Sequence, residues 1–292
     1  MKTDKKGLLA IIIVAFCFAV MGLFARFLNN SYEIFQQIYL RLFVAIFLGL
    51  IIFKKDLNFK KLKKISLNEW LLLMARAVLI YLIGVALFVK AVNITKIANV
   101  SFIGALPLTA LWGFLLFKEK FTFKKVFLIT AAFLGVILLT VKDFSNLSII
   151  GLGEIYALIH VVFFSLGHVT RKLHSNILND KELSIIIFIF AFIFIFITSL
   201  IIGEGLPVIV PSSLPVIFIA GFFNLIIIYL SNYGFKRVHV VLASNLISLE
   251  SFFALVIGFV FFLEIPILTE IIGGLIVVIS AYFMSLVDKK EK

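Results

Sequence analysis

Long apolar runs separated by short polar connections extend along the whole chain. A helix needs about 20 apolar residues to cross a hydrocarbon layer. Ten runs meet that length, with these predicted bounds: 7–28, 34–53, 69–91, 98–117, 123–141, 150–170, 183–203, 214–233, 240–263 and 267–287. The longest connection, from Lys54 to Asn68, is basic and too short for a soluble domain. The pattern predicts an all-α integral membrane protein with ten transmembrane helices.

Composition supports a membrane protein. Hydrophobic residues make up 63% of the 292 residues, and charged residues only 14%. Soluble domains are about 45–50% apolar and about 25% charged. A soluble core of this size cannot hide the apolar excess, so a lipid bilayer is the expected partner of the surface.

The basic residues predict the orientation of the helices. Ten helices place both termini on one side, and that side holds 21 of the 27 Lys and Arg residues, against two, Lys96 and Lys142, in the opposite loops. Cytoplasmic loops carry such an excess. We therefore expect a multi-pass protein of a bacterial-type inner (plasma) membrane with both termini in the cytoplasm. The net charge of +12 is scattered over separate loops, which argues against nucleic-acid binding.

Two segments indicate that the chain is a repeat. Ala91 to Pro107 and Gly234 to Glu250 each run from the end of the third helix of a half into the fourth. Each fourth helix ends at a glutamate, Glu119 or Glu264. We predict five-helix repeats at residues 1–145 and 146–292 within one membrane domain. Because five is odd, the second repeat is inverted relative to the first, a common architecture of secondary transporters.

These features resemble the drug/metabolite transporter superfamily, in particular its EamA-type ten-helix members. The residues that carry the resemblance are Gly153-Glu154, Leu249-Glu250, Glu264 and Gly273-Gly274 in the second half, and Arg41, Pro107, Glu119 and Gly135 in the first. The resemblance implies the ten-helix fold and transport activity, and a kink at Pro107. Ser251 stands where the family usually has proline, which puts the matching kink of the ninth helix in doubt.

Ionisable residues inside a span are costly and therefore candidate sites. Glu250 lies about ten residues into the ninth helix, on a face of mostly small residues, and is a candidate for binding a proton or a cationic group. Arg76 lies about seven residues into the third helix, with Lys90 on nearly the same face 14 residues later. Arg41 follows Gln37 by four residues on a polar and small face. The alternative for Glu250 is a protonated structural carboxyl bonded to a neighbouring helix. Arg76 could instead snorkel to the cytoplasmic surface, and Arg41 could form a structural ion pair or snorkel outward.

Polar and aromatic residues within the spans complete the candidate site. They are His160, Asn245, Asn224, Tyr156 and Trp112. The alternatives are a hydrogen-bonded interior residue for His160, on whose face Tyr156 lies, a bridge between helices for the two asparagines, and a lipid or core contact for Trp112. We expect the cavity between helices one, three and four of the first half and six, eight and nine of the second. His168, nearer the inner end of helix six, is a weaker candidate.

The resulting hypothesis is a secondary active transporter, with export as the favoured direction, that works by alternating access. The chain has no Walker A motif, G-x-x-x-x-G-K-[ST], for ATP, no Cys/His cluster for a metal, and a single cysteine, Cys17. We expect no cofactor. The intramembrane charges are net positive and favour a small polar or amphiphilic metabolite such as an amino acid or organic anion. Proton coupling, and a monomer or a homodimer, remain open.

Two other classes of function are alternatives. One is a non-transporting partner or scaffold protein of the membrane, which counterflow of a labelled substrate in liposomes would separate from a transporter. An intramembrane enzyme would need paired acids and histidine, but no span contains Asp and no histidine has a carboxylate neighbour in the sequence. We therefore expect no enzymatic activity.

Overall fold

The computed structural model describes residues 4–95, 97–120, 122–140, 151–263 and 265–290, and these residues are mostly helical with no strand among them. The predicted repeat boundary, Lys96, Lys142 and Glu264 lie outside the described residues. Thirteen α-helices are described, with these bounds: α1 Lys5–Leu28, α2 Ile34–Ile52, α3 Leu67–Ala77, α4 Ala86–Ile94, α5 Ile97–Gly104, α6 Leu108–Phe117, α7 Phe123–Thr140, α8 Leu152–Val169, α9 Asp180–Ile201, α10 Leu214–Arg237, α11 Val240–Ile247, α12 Leu249–Phe262 and α13 Leu268–Lys290.

Within the described residues, eight helical segments are long and apolar enough to cross a membrane. They are Lys5–Leu28, Ile34–Ile52, Leu67–Ile94, Leu152–Leu173, Asp180–Ile201, Pro211–Arg237, Val240–Ile257 and Leu268–Lys289. The predicted fourth span is divided into α5 and α6, and the fifth corresponds to α7. Neither is among the eight, so helix length and composition support a multi-pass protein but do not establish ten spans.

Two helix breaks adjoin the centre of the molecule. Pro107 immediately precedes α6, in the gap that follows the end of α5 at Gly104. Proline has no backbone N–H to donate and its ring obstructs the preceding turn, so a break at this residue has a local cause. In the ninth predicted helix the break lies at Ser248, between α11 and α12, three residues before Ser251. The Ser248 hydroxyl donates to the carbonyl oxygen of Ser244 at 3.4 Å, a side-chain bond that competes with regular helix geometry.

The third predicted helix is continuous but irregular. Between α3 and α4 the backbone forms a π-helix over Val78–Val85. π-helical turns are rare and often lie at functional sites. This one includes Gly84, whose carbonyl oxygen accepts a hydrogen bond from His160 of α8.

Helix packing is matched between the two halves. α1 packs on α10, as the π-helix and α4 pack on α8; α1 also packs on α11 and α12, as α8 packs on α5 and α6. α2 packs on α9, α6 on α11, and α7 on α13. Each of these contacts of a helix in the first half therefore has a counterpart in the contacts of the corresponding helix in the second half. A pair of repeats related by a two-fold axis produces such a pattern.

The contact between α7 and α13 depends on glycine. A Cβ added to Gly135 would lie 2.8 Å from the carbonyl oxygen of Gly273, and one added to Gly273 would lie 2.5 Å from that of Gly135. The two helices therefore touch backbone to backbone at these two glycines. Small residues permit such close approach between membrane helices.

A helix cap also joins the halves. Glu119, just after α6, accepts hydrogen bonds from the backbone N–H groups of Val240 at 2.7 Å and Val241 at 2.9 Å, at the start of α11. Its Oε1 also accepts from Lys172 Nζ at 3.2 Å. A carboxylate at a helix N-terminus satisfies free N–H groups and complements the helix dipole.

Candidate functional site

A cavity of about 170 Å³ lies between the two halves. Its lining comes from α1, α4, α5, α6, α8, α10, α11, α12 and the π-helix, which correspond to the six helices expected from the sequence, and from Arg41 of α2. Most of the lining is apolar and aromatic, including Phe18, Phe88 and Phe164. Apolar walls with a few placed polar groups are typical of small-molecule sites.

Glu250 lines this cavity from the first turn of α12, directly after the break at Ser248. Its side chain is partly exposed to the cavity. Within the described part of the chain, its carboxylate receives no hydrogen bond and forms no ion pair. An unpaired carboxylate inside a membrane protein is costly, so the group needs a proton or a partner that the described residues do not provide.

Arg41 also lines the cavity, from the middle of α2, and its side chain is 1% exposed. Its Nε–H donates to the carbonyl oxygen of Gln37 at 3.0 Å, while Nη2 is buried without a partner among the described residues. Arg41 is the one arginine and Glu250 the one glutamate among the described lining residues, which include no lysine or aspartate. The cavity thus offers one guanidinium and one carboxylate.

His160 lies against the π-helix. Its Nδ1–H donates to the carbonyl oxygen of Gly84 at 2.8 Å, because a carbonyl oxygen can only accept. In the neutral ring Nε2 is then a hydrogen-bond acceptor. The imidazole packs between Phe88, at 5.2 Å between ring centroids, and Phe164, at 4.9 Å. This bond and these two rings fix the orientation of His160 in the cavity wall.

Asn224 of α10 lines the same cavity, and its side-chain amide makes no hydrogen bond with another described side chain or backbone group. It is 7% exposed. Of the candidates from the sequence, the structure therefore brings four together around one space: Glu250, Arg41, His160 and Asn224.

The other candidates lie outside the lining. Arg76 is fully buried, and donates from Nε to the carbonyl oxygen of Gly167 at 2.9 Å and from Nη2 to Asn232 Oδ1 at 2.8 Å. Asn245 donates to the carbonyl oxygen of Leu128 at 3.2 Å and so joins α11 to α7. These bonds join helices of the scaffold, and the atoms left without a partner, Arg76 Nη1 and Asn245 Oδ1, belong to residues outside the cavity lining.

The two aromatic candidates, Tyr156 and Trp112, also lie outside the lining. The ring of Tyr156 lies under the ammonium of Lys90, with 4.6 Å from Nζ to the ring centroid. Trp112 donates from Nε1 to Ser165 Oγ at 3.0 Å, and Ser165 lines the cavity. Trp112 therefore lies one hydrogen bond away from the cavity wall.

His168, the weaker candidate of helix six, also lines the cavity, as does Tyr81 of the π-helix. His168 is packed against Phe164 at 4.5 Å between ring centroids, and neither of its ring nitrogens has a partner among the described residues. The signal was present in the sequence, because His160, Phe164 and His168 follow one another at intervals of four residues on one helix face.

A polar network lies at the ends of the spans, where α8 ends and α9 begins. Asp180 accepts from Arg171 Nη2 at 2.6 Å and from Arg237 Nη1 at 2.8 Å. Nearby, His174 Nδ1 and Glu69 Oε1 are 2.7 Å apart. Burial, with a smaller effect of neighbouring arginines, lowers the pKa of His174 below its usual range, and Nδ1–H donates to Glu69 because a carboxylate oxygen accepts. This network fixes helix ends and is separate from the cavity.

Comparisons with known proteins agree with this architecture. The EamA-like transporter family matches residues 5–141 and 151–286, one match for each half. A solved structure described as "Crystal structure of protein" superposes with a TM-score of 0.80 at 15% identity, covering 98% of this chain and 97% of that one. At that identity the likeness shows the fold alone. No curated protein gives a significant sequence match. The two family matches cover nearly the whole chain, which therefore belongs to the EamA-like transporter family of the drug/metabolite transporter superfamily.

Proposed function

We propose that this protein is a secondary active transporter, acting as an exporter, of a small polar or amphiphilic metabolite such as an amino acid or an organic anion. The observation that carries the proposal is the unpaired carboxylate of Glu250 in a cavity between the two halves. A scaffold has no need of such a cavity, whereas a transporter needs a site that can lose and regain its ligand.

Glu250 is placed to exchange a proton or to hold a cationic group. In a low-dielectric cavity a lone carboxylate is stabilised when it is protonated or paired with a positive charge. Arg41 offers the opposite charge in the same space. A molecule with both an amino and a carboxylate group would satisfy both side chains at once, and an organic anion with a proton would do so as well.

The matched packing of the halves supports alternating access. We infer that the two five-helix repeats have opposite orientations in an inner (plasma) membrane, with both termini in the cytoplasm. The breaks at Pro107 and Ser248 adjoin the cavity, and broken helices at the substrate site are typical of transporters built from inverted repeats. Rocking of one half against the other would then expose the cavity to each side in turn without ATP.

The experiment is counterflow in liposomes with purified protein and a panel of labelled amino acids and organic acids. We expect one or more of them to accumulate, and Glu250→Gln to reduce the rate at least tenfold and to remove the pH dependence of what remains. Glu33→Gln is the matched control, since Glu33 lies exposed before α2, away from the cavity.

Two results would contradict the proposal. If Glu250→Gln carries the same compounds at the wild-type rate with an unchanged pH profile, the carboxyl has a structural role. If folded wild-type protein drives no counterflow of any compound in the panel, a non-transporting membrane partner becomes the better description.

A further inference from the structure

Two neighbouring polar side chains on α2 are buried without using most of their hydrogen-bonding groups. Gln37 is 0% exposed, and neither its Nε2 nor its Oε1 has a partner among the described residues. Arg41, one turn later, is 1% exposed and has an unpartnered Nη2. Buried polar groups without partners are rare in native structures, and each needs an explanation.

The two side chains lie side by side. Residues four apart share a helix face. In addition, Arg41 Nε donates to the backbone carbonyl oxygen of Gln37 at 3.0 Å, so the guanidinium folds back along α2 toward Gln37. The amide of Gln37 therefore lies next to the donors of Arg41: Arg41 lines the cavity, and Gln37 lies behind it, outside the lining.

A third donor approaches from α10. A Cβ on Gly221 would lie 2.9 Å from the carbonyl oxygen of Arg41, so the absence of a side chain lets α10 pack directly on α2 at this residue. Asn224 lies three residues later on α10 and lines the cavity, and its side-chain amide makes no hydrogen bond with other described groups. Its amide supplies further N–H donors near the Arg41 end of the cavity.

The chemistry of this cluster favours a carboxylate. A guanidinium presents a planar fork that matches two carboxylate oxygens, and amide N–H groups can donate to the same oxygens. Arg41 is also the one residue with a permanent positive charge in the described lining. A ligand carboxylate would both neutralise that charge and satisfy donors that the protein leaves free.

We propose that Gln37 and Arg41, with Asn224 opposite them, form a subsite for the carboxylate group of the transported molecule. The subsite rests on the proposed transport function for its physiological ligand. Gln37 is then a specificity-determining residue, because it favours a carboxylate at the cost of a buried amide that is unpaired while the cavity is empty.

Trp112 provides a direct measurement of binding. The chain has two tryptophans, and Trp70→Phe leaves Trp112 as the sole tryptophan. Trp112 is hydrogen-bonded to Ser165 of the cavity wall. The probes are phenylacetate and its neutral amide, phenylacetamide, titrated against this protein in detergent. We expect phenylacetate to bind at least tenfold more tightly, since hydrogen bonds to a charged group are worth about that factor.

The variants are compared on the same two probes. Gln37→Leu should weaken phenylacetate binding about tenfold and leave phenylacetamide binding unchanged, while raising the melting temperature because an unpaired amide is removed. Ser231→Ala is the control: its hydroxyl is also buried without a partner, but it lies ten residues beyond Gly221 on α10, about 15 Å along the helix from the contact with Arg41, so it should not change the preference for the carboxylate. Arg41→Lys should keep the charge and lose most of the preference.

Retained amide binding shows that each variant is folded with an intact cavity. The subsite proposal is overturned if wild-type protein prefers neither probe or binds neither, or if Gln37→Leu weakens both equally or lowers the melting temperature. Transport is measured separately. Preferential binding of the carboxylate without counterflow would refute the transport function and support the subsite. Counterflow together with an unchanged carboxylate preference in Gln37→Leu would support transport and refute the subsite.

Discussion

The sharpest stability prediction concerns Asp180, at the start of α9. Its Oδ1 accepts from Arg171 Nε at 3.2 Å and Nη2 at 2.6 Å, and its Oδ2 accepts from Arg237 Nη1 at 2.8 Å. The Asp180 side chain is 7% exposed and that of Arg171 is 1% exposed. One carboxylate thus joins the ends of α8 and α10 to the beginning of α9.

Asp180→Asn keeps the shape and removes the charge. Arg237 would retain its bond to the carbonyl oxygen of Tyr233 and its contact with the Tyr233 ring, but Arg171 would be left buried without an anionic partner. Removing one partner of a buried ion pair costs about 3–5 kcal/mol, because the other charge remains desolvated. For a chain of this size we expect the apparent melting temperature to fall by roughly 6–20 °C.

A second ion pair makes the test specific. Lys181 Nζ and Asp56 Oδ2 are 2.6 Å apart, the same separation as Arg171 and Asp180, but their side chains are 28% and 48% exposed. Exposed pairs contribute about 0–1 kcal/mol. Asp56→Asn should therefore shift the melting temperature by only a few degrees, although the two distances are equal.

The assay is thermal unfolding of purified protein in one detergent at one scan rate, followed by tryptophan fluorescence. Adding Arg171→Met to Asp180→Asn should recover part of the loss, since it removes the unpaired charge. Equal shifts for Asp180→Asn and Asp56→Asn would refute the argument that burial rather than distance sets the contribution.

Two further predictions concern the join between the halves and the topology. Glu119→Gln should lower the free energy of unfolding by about 1–2 kcal/mol and Lys172→Met by less, because Glu119 also caps α11. Thermal unfolding compares the two variants, and an equal or larger loss for Lys172→Met would contradict this ranking. In a Cys17→Ser background, impermeant thiol reagents should label Ser212→Cys but not Asn58→Cys in intact cells, and labelling of Asn58→Cys would reverse the proposed orientation.

The all-helical membrane architecture was predictable because a bilayer leaves a chain few alternatives. Each spanning segment must satisfy its backbone hydrogen bonds internally, so long apolar runs become helices. The matching segments around Pro107 and Glu250 indicated the repeat, and the family matches show one repeat unit in each half. The count of ten stays a prediction, since the fourth predicted span is broken between α5 and α6.

Helix irregularities were less accessible to sequence reasoning. Proline at position 107 marks the break before α6, but no proline marks the break at Ser248. The π-helix over Val78–Val85 also has no evident signal. Its wider turns change the angular relation between residues on either side, so Arg76 and Lys90 are not related as a regular helix would place them: Arg76 is fully buried, and Lys90 is exposed beside Tyr156.

Pairing is what separates structural polar residues from candidate ligands within this membrane protein. Arg76 and Arg41 are both single arginines in apolar runs, and their sequence contexts give no reason to treat them differently. Arg76 donates to groups on two other helices and does not line the cavity, so its one unpartnered nitrogen, Nη1, faces no ligand space; Arg41 keeps an unpartnered Nη2 and lines a cavity that Glu250 also lines. Since an unpaired buried charge is unfavourable in lipid, its persistence beside a cavity is better explained by a ligand that completes it than by packing. That asymmetry is the physical reason for assigning substrate contact to Arg41 and a scaffold role to Arg76.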